Sequence, residues 1–499
     1  MNRKVSFRDC WNFVLLGPRD LLLYLICISY PVFVKSFELL PPWYLEWSSK
    51  KRAQRAFFRA FNKVPAYKQF IRDTAGEQVP ETDKINYIKA YPIESRCVKG
   101  MIPPTDVMID ESSGSTGIPY NWVRLIKERH QSHLFISYFA KYCFGRGPWI
   151  TINAFSMGSW ATGFNMGIAL QDNSIVKNTG PDIQKIFYTL KFFGNKYPYL
   201  ITGYPPFLKQ IIDSAEQQGF PLKDFQLTAL VGGEGMSEGL RDYLLKHFRK
   251  VYSGYGATDL EIGIAGEMPV SVAIRRLARD NQYVREKLFG TDSRLPMLFQ
   301  YNPLMHYIEI NEKKEILITI TRASILSPRI RYNIHDEGGV MRFDEMAKAL
   351  AEVGYDIRTL TDEPAKRSIN LPFLWIYGRK DFTISIMGAN IYPEDIEQAV
   401  YDNDRLSRMT KSFCQSLLEL PDKSVRPCFY FEIAEEPSEE LKTAFSEAIL
   451  KQLKGCNLDF RKAFEEQPQS LIPVIQLFKI GEGPFKANSD KIKQIRKIN

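Results

Sequence analysis

The chain is poor in cysteine, and its cysteines form no recognisable site. Seven of them are spread over 499 residues, at positions 10, 27, 97, 143, 414, 428 and 456. No two form a C-x-x-C pair, and no histidine–cysteine cluster has zinc-binding spacing. Scattered thiols in odd number are typical of a reducing compartment, so we expect a cytoplasmic protein.

The sequence also lacks an apolar run long enough to cross a membrane. Its one candidate is Leu21–Val34, which Pro31 interrupts, whereas a spanning helix needs about 20 apolar residues. Because no small-residue cleavage pattern follows, we do not predict a signal peptide either. Two interpretations remain for this segment: a buried helix, or an interfacial segment that makes peripheral contact with a membrane.

Low-complexity tracts, internal repeats and dense runs of one charge are absent as well. The net charge is +9, but acidic and basic residues mix along most of the chain, which argues against a nucleic-acid partner. Hydrophobic residues make up 44% of the composition and aromatic residues 13%. A chain of this size predicts more than one domain, since single cores stop growing at about 250–300 residues.

What is present is an alternation of helix and strand patterns. Residues 1–105 predict a helical lead-in, and the rhythm that follows is typical of mostly parallel sheets covered by helices. After His306 the pattern becomes β-rich, with a hairpin predicted around Asn311–Lys314. We therefore predict an α/β fold, in which a large N-terminal domain has its ligand-binding part at 106–380 and a small α+β domain occupies 381–499.

The most distinctive segment is Ser112–Gly117, which concentrates four hydroxyls and two glycines. Glycines free the backbone to fold around a ligand, and hydroxyls donate to phosphate oxygens. We predict a strand at Asp106–Asp110 before it and a helix beginning near Val123 after it, an arrangement suited to nucleotide phosphates. No Gly-Lys-Ser/Thr follows, so this is not a Walker A loop. Taken alone, the segment could equally be a flexible surface loop.

Five further motifs follow along the chain. The first is glycine-rich, the second combines an aromatic ring, a hydroxyl and a carboxylate, and the third presents an acid after a strand. An aromatic ring can stack on a base, and a carboxylate can hold a magnesium ion that bridges phosphates. In order, the motifs are Gly232–Gly235, Tyr255–Asp259, Arg331–Asp336, Gly378–Asp381 and Phe485–Ile492.

In order and spacing, these motifs resemble those of the adenylate-forming superfamily of acyl-CoA synthetases, peptide-synthetase adenylation domains and luciferases. Within it the phenylacetate-CoA ligase branch is the most similar, through Lys63–Lys68 and the Arg331-Tyr332 pair. The resemblance spans about residues 60–499. The order of the motifs carries it, because each of the shorter ones is common by itself.

The resemblance implies a two-step reaction at the large domain. A small-molecule carboxylic acid attacks the α-phosphate of ATP, with Mg²⁺ present, and gives acyl-AMP and pyrophosphate. The small domain, a mobile lid, then swings, and a thiol of CoA or of a carrier protein takes the acyl group. Positioning and charge neutralisation would supply most of the catalysis. An amine acceptor is an alternative, and a catalytically weakened nucleotide-binding partner protein is a third interpretation.

The resemblance also implies roles for individual residues. Ser112, Ser113, Gly114, Ser115, Thr116 and Gly117 are expected to cradle the β- and γ-phosphates. Gly233 and Glu234 would border the adenine and acyl pockets, Tyr255 beside Gly256 would stack on adenine, and Asp336 with Arg379 would bind the ribose. Thr258 would contact the α-phosphate, Asp259 would hold Mg²⁺, and Asp381 would be the hinge. Lys491 would stabilise charge growing on the α-phosphate and acyl oxygens.

Several of these residues have an ordinary structural alternative. Phe155 and Trp160 lie where the family has its acyl-pocket wall, and an aromatic wall favours an aryl or medium-sized apolar acid. Both could instead belong to a core strand and helix. Tyr255 could be a half-buried core aromatic, Asp336 a loop cap, and Lys491 part of a solvated basic tail.

Three positions depart from the family pattern. Asp259 replaces the usual glutamate and is one methylene shorter, so either Glu261 or a bridging water would complete the Mg²⁺ contact. Asp490 replaces the glycine that precedes the catalytic lysine. His335 stands where the family has a glycine, and we expect a structural or substrate-proximal histidine there. These departures weaken the expectation of CoA as acceptor more than that of adenylation.

Overall fold

The computed structural model describes residues 29–499 except 75, 77–78, 113–119, 159–160, 234, 293, 362–368, 380–383, 387–388, 420–424, 458–459, 462–463, 466–467, 487–494 and 498–499. Its α-helices are α1 (Tyr30–Leu39), α2 (Pro42–Lys63), α3 (Pro65–Asp73), α4 (Ile126–Phe144), α5 (Ala161–Leu170), α6 (Ile183–Phe193), α7 (Pro205–Gln217), α8 (Glu238–Leu244), α9 (Pro269–Asp280), α10 (Gln282–Phe289), α11 (Phe343–Ala351), α12 (Pro393–Tyr401), α13 (Asp404–Met409), α14 (Glu439–Cys456) and α15 (Pro468–Leu471).

The strands are β1 (Val107–Ser112), β2 (Tyr120–Leu125), β3 (Trp149–Asn153), β4 (Ser174–Asn178), β5 (Pro198–Gly203), β6 (Gln226–Gly232), β7 (Val251–Ala257), β8 (Glu261–Gly266), β9 (Met297–Tyr301), β10 (His306–Ile310), β11 (Glu315–Ile320), β12 (Tyr332–Met341), β13 (Phe373–Arg379), β14 (Ile384–Ile386), β15 (Ala389–Ile391), β16 (Thr410–Glu419), β17 (Val425–Ile433), β18 (Val474–Lys479) and β19 (Ile495–Lys497).

Proline and glycine mark many of the helix ends. Seven helices (α1, α2, α3, α7, α9, α12 and α15) carry proline in their first turn, where its missing N–H is not needed and its fixed φ suits the helix. Three others end at Gly145, Gly194 and Gly290, whose φ angles of 98°, 71° and 85° are open to glycine. These residues are local signals for where a helix begins or ends.

The largest sheet in the described part of the chain has eleven strands, in the order β10-β11-β12-β13-β9-β8-β7-β6-β5-β3-β4. Neighbours from β7 through β6, β5 and β3 to β4 are parallel, and the rest are antiparallel. The parallel part and the β-rich part after His306 were both predicted from the sequence. The predicted hairpin is β10–β11, in which Ile310 pairs with Ile316.

The lead-in helices share one core with the parallel strands. Ala60 of α2 and Tyr67 of α3 are buried in the same cluster as Ile152, Ile201 and Leu227, which lie on β3, β5 and β6. Burying these faces together removes apolar surface from water at roughly 25 cal/mol per Å². The segment before residue 105 is therefore an integral part of the large body.

The segment around the hydroxyl-rich loop differs from the prediction. Tyr120–Leu125 is a strand and not the start of a helix, and it pairs antiparallel with β1, so that Ser112 lies opposite Tyr120. Trp122 and Val123 are buried, and aromatic and β-branched side chains favour a pleated surface. The helix α4 begins only at Ile126, so the expected helix N-terminus does not follow the loop. A β-hairpin carries the loop instead.

The apolar N-terminal segment enters the structure at its last residues. Within α1, Phe33 is buried and its ring centroid lies 5.3 Å from that of Tyr138 on α4. This contact agrees with a buried helix, whereas peripheral membrane contact stays a prediction, and residues 21–28 lie outside the described ranges. Among the helices that the structure describes, none combines the length and apolarity needed to span a bilayer.

The C-terminal part has its own sheet and core. Its strands run in the order β18-β17-β16-β19, and α12 and α14 pack on them through Phe413, Phe431, Phe445 and Ile396. The rings of Phe431 and Phe445 stack at 4.2 Å between centroids. The boundary predicted at Lys380–Asp381 lies outside the described residues, so the domain limits stay predictions.

One buried polar cluster joins this part to the large sheet's helices. Asp213 on α7 accepts hydrogen bonds from Lys209 at 2.9 Å, from Lys411 on β16 at 2.9 Å and from the hydroxyl of Tyr243 at 2.8 Å. Lys209 also donates to the carbonyl of Thr410 at 3.4 Å. Asp213 is 4% exposed and Lys209 is 3% exposed, so both charges depend on each other for solvation.

We predict that Asp213→Ala lowers the free energy of unfolding by about 3–5 kcal/mol, because Lys209 would be left buried without its partner. Urea unfolding followed by circular dichroism measures this change. Glu38→Ala is the matched control, since Glu38 pairs with an exposed Lys35 at 3.5 Å and should cost less than about 1 kcal/mol. Equal losses in the two variants would contradict a buried, coupled cluster.

Candidate functional site

The strand order of the large sheet reverses at β3, which marks the expected position of a ligand crevice. The chain leaves β3 first to β4 on one side and then to β5 on the other, and such reversals open a ligand site outside the carboxyl ends of parallel strands. Phe155 and Tyr204 follow β3 and β5 there, with their rings edge to face at 5.2 Å. Phe155 is only 1% exposed, so it supports the edge from within the core. Its role in an acyl pocket stays a prediction, and Trp160 lies outside the described residues.

Gly233 follows β6, and glycine is needed there because the Tyr204 ring comes close to its backbone. Its φ is 87°, and a Cβ atom there would come within 2.7 Å of the Tyr204 ring. The glycine was predicted to border the adenine and acyl pockets, and in this structure the ring that approaches its backbone is the chain's own Tyr204. Tyr204 thereby fills the space between the ends of β5 and β6. The neighbouring Glu234 lies outside the described residues.

Tyr255 and Asp336, which the motifs assign to adenine and ribose, are in direct contact. The hydroxyl of Tyr255 on β7 donates to the Asp336 carboxylate on β12 at 2.7 Å. The Tyr255 ring is half-buried, and its centroid lies 5.8 Å from that of Phe299 on β9. The two residues are far apart in the strand order, so the contact depends on the curvature of the sheet. It brings an aromatic face and a carboxylate to one place.

The remaining motif residues are placed only in part. Asp336 pairs in register with Arg379 of β13, which agrees with the two acting together, although the structure does not describe the arginine side chain. Gly256 sits where a Cβ atom would come within 2.9 Å of the Glu261 carbonyl. The following predicted residues lie outside the described ranges: Ser113, Gly114, Ser115, Thr116, Gly117, Asp381 and Lys491. Ser112 ends β1, and its side chain is not described.

Asp259 lies in the turn between β7 and β8, directly after Thr258. The hydroxyl of Tyr332 donates to its carboxylate at 3.0 Å. Burial, followed by the charge of Asp259, raises the pKa of Tyr332 well above its usual range, so the phenol keeps its proton as a donor. Tyr332 belongs to the Arg331-Tyr332 motif, and the structure gives this tyrosine a contact that the sequence did not assign.

Glu261 does not complete a metal site with Asp259, contrary to one of the two possibilities raised from the sequence. Its carboxylate accepts from Ser132 at 2.6 Å and from His306 and Arg322. Burial by itself would raise its pKa, but the Arg322 charge and the bonds from His306 and Ser132 outweigh burial and lower the pKa to about 2. This carboxylate is consumed by a buried ion-pair network that ties α4 to β8.

His335 has a left-handed backbone conformation, which explains why the family has a glycine at this position. Its φ is 64°, a left-handed value that costs an ordinary residue about 1–2 kcal/mol. Two contacts hold the residue there: its amide donates to the Asn333 side chain at 2.7 Å, and its ring lies 3.4 Å from the Glu315 carboxylate. The half-exposed ring makes no described contact with the crevice residues, which favours the structural interpretation of His335.

Sequence reasoning missed three residues that contact the motif segments. Tyr204, Arg124 and Arg329 carry no motif, yet each contacts a motif segment. For Arg124 a signal was available: Trp122 and Arg124 alternate on one face of a strand, and an arginine sharing a face with a buried tryptophan is unusual. The predicted helix near Val123 did not take this alternation into account.

Comparison with known proteins identifies the fold. No family model matches the chain, and a search of curated proteins also finds no match. Among solved structures, the chain is similar to 2-hydroxyisobutyryl-CoA ligase in the postadenylation state with R3-HIB-AMP, with a TM-score of 0.66 and 13% identity over 93% of this chain and 92% of that one. The same ligase in the thioesterification state gives a TM-score of 0.55 at 14% identity over 93% and 91%, and its open conformation gives 0.54 at 13% over 90% and 91%.

The chain therefore has the fold of 2-hydroxyisobutyryl-CoA ligase over nearly its whole length. The α/β fold expected from the motif resemblance is confirmed.

We predict that Glu261→Gln is less stable than the wild type by about 3–5 kcal/mol near pH 7, because Arg322 and His306 would lose a buried anion. The lowered pKa of Glu261 adds stability above its ordinary value of 4.5, and this is lost as the pH falls toward about 2. The difference between the proteins should therefore shrink through that window. Urea unfolding at a series of pH values measures it, with the exposed Glu345→Gln as control; a constant difference down to pH 3 would contradict the network.

Proposed function

We propose that this chain is an ATP-dependent acid–thiol ligase. It would convert a carboxylic acid to acyl-AMP with release of pyrophosphate and then transfer the acyl group to a thiol, most readily that of CoA. The observation that carries the proposal is the contact between Tyr255 and Asp336, beside the Thr258–Asp259 turn. It occurs in the fold of a ligase whose structures hold acyl-AMP.

The described residues support the nucleotide half of the site. The Tyr255 ring offers a face on which adenine can stack, and Asp336 offers oxygens to ribose hydroxyls. Because Tyr255 donates to Asp336 at 2.7 Å, the carboxylate is oriented before ATP arrives. Such preorganisation reduces the entropy that must be lost on binding.

The first step is an in-line displacement at phosphorus. A carboxylate oxygen of the acid forms a bond to the α-phosphorus while the bond to pyrophosphate breaks. Thr258 would donate its hydroxyl to the α-phosphate, and Lys491 would neutralise the negative charge that increases there. In the second step the thiol sulfur attacks the acyl carbon and loses its proton, and AMP leaves with the bonding electrons.

The residues at the turn fit a magnesium ion that is held mainly by substrate. Magnesium usually keeps several waters and takes one or two protein carboxylates together with phosphates, and it would supply neutralisation of phosphate charge. Asp259 is the carboxylate we assign to it, since Tyr332 already fixes its orientation. With Glu261 committed elsewhere, the shorter Asp259 side chain would reach the ion through a water.

The subtype of ligase is defined by the acid that it activates and by the group that accepts the acyl chain. We assign the chain to the phenylacetate-CoA ligase-like branch, on the Arg331-Tyr332 motif, on the aromatic residues Phe155 and Tyr204 that follow β3 and β5, and on Trp160 in the sequence segment that follows Phe155. An aryl acid would match such surroundings. An amine or a carrier-protein thiol in place of CoA, or nucleotide binding without turnover, would be separate outcomes of the test below.

The test is ATP–pyrophosphate exchange with a panel of aryl, aliphatic and amino acids. We expect exchange that depends on one class of acid, aryl acids first, and that requires Mg²⁺. Adding CoA to an active mixture should then produce a thioester, which mass spectrometry detects. Exchange without thioester would move the acceptor to an amine or carrier protein. ATP binding without exchange for any acid would refute the enzyme assignment.

We predict that Lys491→Ala reduces acyl-AMP formation by about 100- to 1,000-fold, the usual effect of removing one preorganised donor. Thioester formation from synthetic acyl-AMP and CoA should fall far less, since a swung lid would remove this lysine from the site. Lys493→Ala is the matched control from the same basic segment. A parallel loss of both half-reactions would contradict the alternation of the lid between them.

A further inference from the structure

The turn that carries Thr258 and Asp259 is held from behind by two guanidinium groups. Arg124 donates to the carbonyl oxygens of Thr258 and Leu260 through its two terminal nitrogens. Arg329 donates through Nε to the carbonyl oxygen between them, that of Asp259, at 2.9 Å. Three successive carbonyls thus accept from two arginines.

The sheet ladder alone does not hold this turn. The register between β7 and β8 shifts between Tyr255 and Ala257, and beyond the shift the last pair is Ala257 with Glu261. Inside the turn, a backbone bond from the Leu260 amide to the Ala257 carbonyl at 3.0 Å is present. The outward carbonyls therefore need other donors, and an arginine fork can satisfy two of them in a fixed geometry.

Both arginines are buried and are themselves fixed. The Arg124 side chain is 10% exposed, and its Nε donates to Asp110, which is 5% exposed, at 3.0 Å. Arg329 is 4% exposed, and its guanidinium lies 4.9 Å from the Trp122 ring and 5.7 Å from the Tyr332 ring. These aromatic faces stabilise the cation and prevent it from turning away.

Arg124 donates a hydrogen bond to a carboxylate, whereas no hydrogen bond that the structure describes for Arg329 goes to a carboxylate. Within the described residues, its hydrogen bonds go to the carbonyls of Asp259 and Ser327 and to the Ser327 hydroxyl, at 2.6–2.9 Å. A guanidinium group is a cation at neutral pH. A buried cation without a carboxylate partner favours an anion nearby.

The two side chains also connect the turn to the other parts of the site. Arg124 lies on β2, in the hairpin that carries the hydroxyl-rich loop, and Arg329 lies three residues before Tyr332 at the start of β12, which carries Asp336. Tyr332 in turn donates to the Asp259 carboxylate. The turn thus has direct contacts with the hairpin that carries the hydroxyl-rich loop and with the Arg331–Asp336 motif.

We propose that Arg124 and Arg329 are positioning residues, which hold the 258–260 turn so that Thr258 and Asp259 meet the α-phosphate and which add positive potential behind a polyphosphate site. The catalytic role of the two arginines rests on the proposed function, whereas their role in fixing the geometry of the turn does not. Neither side chain needs to touch substrate, because each acts through the turn.

The test replaces each arginine by lysine, in Arg124→Lys and Arg329→Lys. Lysine keeps the charge but cannot span two carbonyls as a fork. Arg275→Lys is the matched control, since Arg275 is equally buried and donates to Glu238 and the Pro296 carbonyl. Hydrogen–deuterium exchange of peptides covering residues 255–262, ATP affinity and pyrophosphate exchange are measured for all three variants.

We expect the amides of 255–262 to exchange at least tenfold faster in Arg124→Lys and to be unchanged in Arg275→Lys. In the exchange reaction kcat should fall by about 100-fold, as expected for a small misplacement of reacting groups. The KM for the acid should stay within about threefold, because the acid pocket is not altered. Arg329→Lys should show a smaller loss of kcat, since a single donor to Asp259 can be replaced by ammonium.

The outcomes separate the inference from the proposed function. Unchanged amide exchange at 255–262 in both variants would overturn the clamp, whatever the activity. The clamp would also be overturned if Arg124→Lys and Arg329→Lys lost no more stability than Arg275→Lys and kept the wild-type kcat. A wild-type chain inactive with every acid would refute the ligase assignment alone, and the amide exchange would still decide whether the arginines hold the turn.

Discussion

Buried arginines, each surrounded by carbonyl or carboxylate oxygens, connect the segments that form the site. Removing a guanidinium from water is unfavourable by several kcal/mol unless most of its donors are satisfied. Arg241 meets this condition by bonding Glu238, Glu267 and the Val251 carbonyl, which joins α8 to the start of β7 and to the residue that follows β8. Arg124 and Arg329 do the same for the turn after β7. Because the guanidinium group offers five donors in a rigid fork, one arginine can satisfy acceptors on several segments and fix them relative to one another.

This framework explains how a site without a reactive nucleophile can work. Acyl-adenylate chemistry depends on placing a carboxylate, a phosphorus atom and compensating charges correctly. The described residues supply fixed geometry: Tyr255 orients Asp336, Tyr332 orients Asp259, and Gly233 admits the ring of Tyr204. Glu261, which was one of two possibilities for completing the Mg²⁺ contact, belongs instead to a buried ion-pair network. Only the side-chain contacts distinguish the residues that orient the site from those that support it.

The C-terminal part meets the large body through a small polar cluster and through α12, whose Tyr401 is buried in the core of the large body close to Gly239 of α8. Asp213 is shared by Lys209 and Lys411, which come from α7 and β16. The polar cluster and the buried ring of Tyr401 both hold the C-terminal part against the helices of the large body.

The sequence by itself determined the order of elements, the parallel and antiparallel parts of the sheet, and the motif positions. These follow from local periodicity, from proline and glycine at helix ends, and from residues adjacent in the chain. The Tyr120–Leu125 segment was misassigned, because its pairing with β1 overrides a helix-like pattern. Only the tertiary structure decided that Tyr255 meets Asp336, that Arg124 and Arg329 hold the Thr258 turn, and that Glu261 is consumed by Arg322. Each of these contacts joins residues about 60 to 140 positions apart, and such pairings depend on how the sheet curves and packs, which no local pattern encodes.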